Sequence, residues 1–113
     1  MPEPLDLAGM DAISTGVSTF TDAGHRYVHV PTLRLPIGCT PELAAALICM
    51  DARDNYPTRL FLSEKVATSA RPLNWNMSVA IAGQTWHAYS WNYVSSSPRP
   101  VEVLIGHLVA FLP

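Results

Sequence analysis

A disulfide scaffold is the first thing this sequence excludes. Its two cysteines, Cys39 and Cys49, are too few for one and form no C-x-x-C pair. Lysine is almost missing: Lys65 stands alone beside six scattered arginines, and the formal net charge is −2. Such a set builds no basic stripe of the kind that grips nucleic acid, so no nucleic-acid partner is expected. No apolar run approaches the roughly 18 residues that span a bilayer. The opening MPEPLDLAGMD is acidic and lacks a charged-then-apolar leader pattern. The expected setting is the cytoplasm, without membrane contact. His25, His29, His87 and His107 do not show the spacing of convergent zinc ligands, so no metal and no cofactor is expected.

What is present is globular. Apolar residues make up 49% of the 113 and charged residues 14%, a composition that folds rather than stays disordered. There is room for one core, expected over residues 13–113 behind a loose lead-in at 1–12. Ten prolines punctuate the chain, most of them between apolar runs. Alternation from Ile13 to Phe20 predicts a strand. Thr21-Asp22-Ala23-Gly24 supplies a turn, and Tyr27 to Leu35 returns as the second arm of a hairpin.

The next segment, TPELAAALICMDA, reads two ways. Thr40 as an N-cap, Pro41 at the first helical position and the alanine run favour a helix. A buried central strand would look similar. Asn55-Tyr56-Pro57 is a turn, with Arg53, Asp54 and Asp51 beside it as a solvated loop, and Leu60 to Leu62 opens another strand. Val79-Ala80-Ile81 is a hairpin arm closed by Ala82-Gly83-Gln84. Beyond the polar loop from Ser95 to Pro98, Pro100 starts a helix. Its apolar face is expected at Val101, Leu104, Ile105, Leu108 and Leu112. An antiparallel meander followed by a closing helix is an α+β domain.

Chemistry-bearing residues crowd into AIAGQTWHAYSWN, residues 80–92. Ser90 as nucleophile with His87 as base would make an acyl-transfer enzyme or hydrolase if this stretch turns helically. On a strand, side chains three apart point to opposite faces and the pair is excluded. Trp86, Tyr89 and Trp91 read equally as packing residues, together worth several kcal/mol at roughly 25 cal/mol per Å2. Cys49, between Ile48 and Met50, reads as a small buried hydrophobe, while Cys39 in a Gly-Cys-Thr-Pro turn has possible exposure as its one claim to reactivity. His25 and His29 read as solvent-facing strand residues, and His107 as a packing residue at the edge of the helix face. A patch of Trp75, Trp86 and Trp91 would suit a binding or assembly module.

Taken in order, NYPTRLFLSEKV, LNWN, SVAIAGQTW and SSSPRPVEVLIGHLVAFL resemble the core of ubiquitin-conjugating enzymes, in particular divergent bacterial members found beside ubiquitin-like proteins and activating enzymes. Tyr56-Pro57 matches that family's turn, and Leu60 to Val66 its apolar strand. LNWN stands where His-Pro-Asn would be, and Arg99-Pro100 opens the closing helix. The resemblance covers roughly residues 13 to 112. It implies a minimal core of about four meandering strands with the C-terminal helix packed across them, and strand rather than helix at 40–50. It also implies a role in a conjugation pathway, with a ubiquitin-like protein and its activating enzyme as partners. Asn76 would be the oxyanion-stabilising asparagine, although Asn74 and Asn76 read equally as satisfying loop backbone groups. Two departures matter. The family's N-terminal helix and the helices after the closing one are missing, and residues 79–92, where the catalytic cysteine belongs, contain none. A thioester needs a thiolate that both attacks and leaves well, so two readings stand within the family, an acyl carrier and a noncatalytic variant.

Overall fold

Ala23 and Gly24 both take positive φ, 50° and 83°, as do Ala82 and Gly83 at 51° and 83°. Two such residues in succession make the tight turn whose twist matches a β-hairpin. These two turns set the outer hairpins of the sheet in the computed structural model, which describes residues 5–69, 71–91 and 94–112. The first joins β1 (Ser18–Asp22) to β2 (His25–Arg34). After a two-residue β3 (Cys39–Thr40) come β4 (Leu43–Cys49), β5 (Arg59–Leu62) and a two-residue β6 (Ala67–Thr68). The second turn then joins β7 (Trp75–Ile81) to β8 (Gln84–Tyr89), and helix α1 (Pro100–Leu108) closes the chain. Six strands form one antiparallel sheet in the order β1-β2-β4-β5-β8-β7, with β3 and β6 paired separately.

The architecture is α+β, mostly antiparallel sheet with one C-terminal helix, but the sheet has six strands instead of about four. The first strand begins at Ser18, not Ile13, because the turn at Ala23-Gly24 aligns Asp22 with His25. A 3-10 turn over Met10–Ala12 precedes it. Met10 is a core residue and Leu5 packs against that core. The lead-in expected at 1–12 is therefore packed from Leu5 onward, and residues 1–4 lie outside the described residues. Pro31 sits where β2 shifts register against β4, between Val30 and Leu33, since a proline cannot donate to the ladder.

The ambiguous segment is strand β4. It pairs with β2 on one edge and β5 on the other, and side chains on both of its faces are buried. Ala44, Ala46 and Ile48 join the cluster beneath the helix, while Leu47 and Cys49 join the cluster on the opposite face. A strand buried on both faces loses its alternation, and tertiary packing overrides the helical propensity of Ala44-Ala45-Ala46.

Helix α1 lies over one face of the sheet with Val101, Leu104 and Leu108 on the core as its periodicity predicts, but its buried side is rotated away from Ile105 and Leu112. Pro100, Val103, Leu104 and His107 are buried, whereas Ile105 is 58% exposed and Leu112 44%. Polar anchors explain the rotation. Tyr89 donates to the His107 carbonyl (3.0 Å) and Trp91 Nε1 to the Gly106 carbonyl (3.2 Å). Gly106 has no Cβ, and one placed there would meet Val94 at 3.0 Å. Those contacts pull the Gly106-His107 side onto the sheet. Tyr89 continues the packing between Trp75 and Phe111, with ring centroids 5.3 and 5.2 Å away.

The opposite sheet face carries a second apolar cluster, Tyr27, Leu47, Cys49, Phe61, Ile81, Trp86 and Ala88. No described helix covers it. Its burial comes from curl: Phe20 of β1 and Ile81 of β7, on opposite edges of the sheet, line the same cavity of about 160 Å3.

Candidate functional site

The site is built on the loop between β4 and β5. Asp54 and Asn55 both take left-handed φ, 53° and 70°, a conformation these two residue types tolerate best after glycine. Arg53 and Tyr56 exchange backbone hydrogen bonds across them, at 3.1 and 2.8 Å. The reversal aims Asp54 back at two guanidinium groups. Its Oδ2 accepts from Arg53 Nε at 2.8 Å and from Arg59 Nη1 at 2.9 Å.

Arg59 is the hub. It stands on β5 on the same face as Phe61, and only 2% of it is exposed. Its Cζ lies 4.3 Å from the Tyr56 ring centroid, within cation–π range, and its Nη2 donates to Asn76 Oδ1. Arg59 Nε is buried without a hydrogen-bond partner. Arg53 Nη1 reaches Tyr27 Oη at 2.7 Å. Two guanidinium groups thus share one carboxylate. Burial by itself would raise the Asp54 carboxyl, but the hydrogen bonds and charges of Arg53 and Arg59 outweigh it and hold it below the usual carboxylate range.

Above this pair sits a polar triad. Asn76 Nδ2 donates to Tyr56 Oη at 3.1 Å, and Tyr56 Oη donates to Ser90 Oγ at 2.9 Å. Ser90 is a candidate by its chemistry and Asn76 by the resemblance, and the structure brings them together through Tyr56. The expected solvated loop is instead an anchored one. Arg53 and Asp54 belong to this network, and Asp51 takes a forked contact from Arg26, with Arg26 Nη2 to Asp51 Oδ1 at 2.8 Å.

Beneath the same loop, Thr58 joins the Tyr-Pro turn to the helix. Thr58 Oγ1 donates to the Val94 carbonyl (3.0 Å) and accepts from His107 Nε2 (3.0 Å). That assignment requires the neutral Nε2–H tautomer of His107. Burial, with the nearby Arg59 charge, lowers the imidazole pKa to about 4.

His87 and Ser90 do not form a pair. His87 lies on β8, and its Nδ1 contacts Ser78 Oγ, directly opposite on β7, at 2.7 Å. Ser90 follows the strand's end and engages Tyr56. The helical turn that would unite them is absent. The Ser78–His87 contact has no third orienting group among the described residues.

The thiols are equally unsuited to acyl transfer. Cys39 is 5% exposed, not open on a turn, and burial pushes its pKa up. Cys49 is buried on the curled face, donates to the Asp51 carbonyl at 3.2 Å and is raised by burial too. At pH 7 both should resist an aromatic disulfide reagent in the native protein and react once urea unfolds the chain. Rapid native labelling of Cys39 would contradict this burial.

The three tryptophans are packing residues on two different faces rather than one patch. Trp75 packs edge-on to Tyr89 and Trp91 is tied to Gly106, both on the helix side. Trp86, 3% exposed, lies on the opposite face beside His29. His25 and His29 are half-buried rather than fully solvated. Asn92, the last residue of the quoted stretch, lies outside the described residues. Among the described residues no three His, Cys, Asp or Glu side chains come together as a metal site requires, and no helix is long and apolar enough to cross a membrane. Arg59, Ser78 and Thr58 were not anticipated. The one hint was an arginine opening the otherwise apolar RLFL strand.

No protein-family model, curated protein or solved structure matches this chain.

Proposed function

We propose that this chain is a noncatalytic, ubiquitin-conjugating-enzyme-like module of a bacterial conjugation pathway. It acts in the cytoplasm and binds a ubiquitin-like protein or its activating enzyme. One observation carries the reading. Two of the segments on which the resemblance rests, Tyr56-Pro57 and LNWN, meet Ser90, just beyond the third, at a single hydroxyl, with Asn76 and Ser90 both bonded to Tyr56 Oη. Such a triad offers exposed donors and acceptors to a peptide backbone. It holds no nucleophile with a base in reach, and both thiols are buried.

Intact-mass measurement after incubation with a ubiquitin-like protein and an activating enzyme encoded beside the chain, plus ATP, tests this directly. The expected result is unmodified chain together with a complex measurable by calorimetry. A hydroxylamine-labile adduct lost in Cys39→Ala or Cys49→Ala would make the chain an acyl carrier, and an adduct lost in Ser90→Ala would make it an oxyester former. Absence of any complex would remove the pathway assignment.

A second reading, an assembly module unrelated to conjugation, is favoured by the outer side of the C-terminal helical segment. Ile105, Val109 and Leu112 are exposed there.

A further inference from the structure

Strand β7 forms one edge of the main sheet, hydrogen-bonded to β8 on its inner side. The two-residue turn at Ala82-Gly83 makes Ile81 and Gln84 a hydrogen-bonded pair. Bonding then alternates along the strand, so Val79 bonds inward while Ser78 and Ala80 present their N–H and C=O groups outward. Among the described residues no backbone hydrogen bond reaches those outward groups.

Natural sheets protect such edges with lysine, proline, inward-pointing charge or very short strands. Here the edge sequence is WNMSVAI, seven residues with no charge and no proline. Its one irregularity, a bulge between Trp75 and Met77, lies at the far end from the turn. The opposite edge, β1, is shorter and ends on Asp22.

We infer that β7 is an interaction edge and that its partner is β7 of a second copy of this chain, paired antiparallel about a twofold axis at Ser78. That register places Ser78 opposite Ser78 of the other copy and Ala80 opposite residue 76. It places Met77 opposite Val79, and both are half-buried members of the curled-face cluster. No residue of the strand itself is charged, and the outward N–H and C=O groups of Ser78 satisfy each other. Twofold self-complementarity of this kind is what an isologous interface requires. The contact is narrow, below the area of a standard stable interface, so the dimer is weak and concentration-dependent.

Sedimentation equilibrium of the full chain from about 1 µM to about 1 mM tests this, a span matched to the affinity of a small interface. The expected result is a mass rising from monomer to dimer with concentration. Ala80→Pro removes an outward N–H without touching the β8 ladder, and Ala80→Lys places two lysines near the axis. Both should remain monomeric throughout while keeping the wild-type circular dichroism spectrum. Thr19→Lys, on the β1 edge, should dimerise as wild type does. Should Ala80→Pro fail to fold, Ala80→Lys decides alone, because residue 80 is an exposed surface position. A wild type that stays monomeric, a dimer that survives Ala80→Lys, or a dimer broken by Thr19→Lys would each overturn the inference.

Discussion

Acidification from pH 7 to about pH 4 should remove about 3 kcal/mol of folding stability through His107 alone. In the unfolded chain its imidazole titrates near 6.5, and in the folded protein near 4. Between those values the unfolded state binds the proton and the folded state does not, so stability rises with pH. The stabilisation is complete above about pH 6.5, falls progressively below it, and is spent once pH passes the folded value. At about 1.4 kcal/mol per pH unit the gap amounts to about 3 kcal/mol. The cause is local: Nε2 is already donating to Thr58, the ring is enclosed beneath the sheet, and the Arg59 charge repels a second proton. Asp51 and Asp54, held below the usual carboxylate range by their arginine partners, lose their contributions only at lower pH. Urea midpoints measured every half unit from pH 4 to pH 8 would show the slope. His107→Gln should flatten it between pH 4 and 6.5. An unchanged slope in that variant would mean that another group carries the dependence.

Arg59→Ala should cost about 3 kcal/mol, within the range for breaking a buried charge network. The lost side chain leaves a cavity beneath Tyr56 and beside Phe61, and the Asn76 amide oxygen loses its donor. Asp54 keeps Arg53 and is about a quarter exposed, so its orphaning contributes less than the packing loss. Arg59→Met retains most of the volume and should cost less than half as much. Chemical denaturation of the two variants separates the terms. Equal losses would mean that charge rather than packing dominates. The alanine variant should also release Tyr56, and with it the link between Asn76 and Ser90.

Local features were legible in the sequence where a residue acts on its own backbone. Ala23-Gly24 and Ala82-Gly83 announced both hairpins, Pro100 announced the helix, and Tyr56-Pro57 announced a reversal. What stayed hidden depends on neighbours far along the chain. By local propensity residues 43–49 read as helix or strand, and what selects the strand is pairing along both edges with β2 and β5 and burial of both faces. The buried side of α1 is chosen by Gly106 and His107 meeting Val94, Trp91, Tyr89 and Thr58, none of which an apolar periodicity contains. Arg59 reads in the sequence as the charged start of a short strand, yet its side chain is almost fully enclosed. Asn76 and Ser90 stand out in the sequence for separate reasons, and their shared partner, Tyr56, reads there only as a turn residue. Only folding made the three one site.

The central claim is that Tyr56, Asn76 and Ser90 form a recognition surface without covalent chemistry. An NMR titration of the isotope-labelled chain with a bacterial ubiquitin-like protein tests this most directly. The account predicts saturable shifts centred on the amides of Tyr56, Asn76 and Ser90, lost or strongly weakened in Tyr56→Phe. Shifts confined to residues 105–112, or none at millimolar partner, would contradict it.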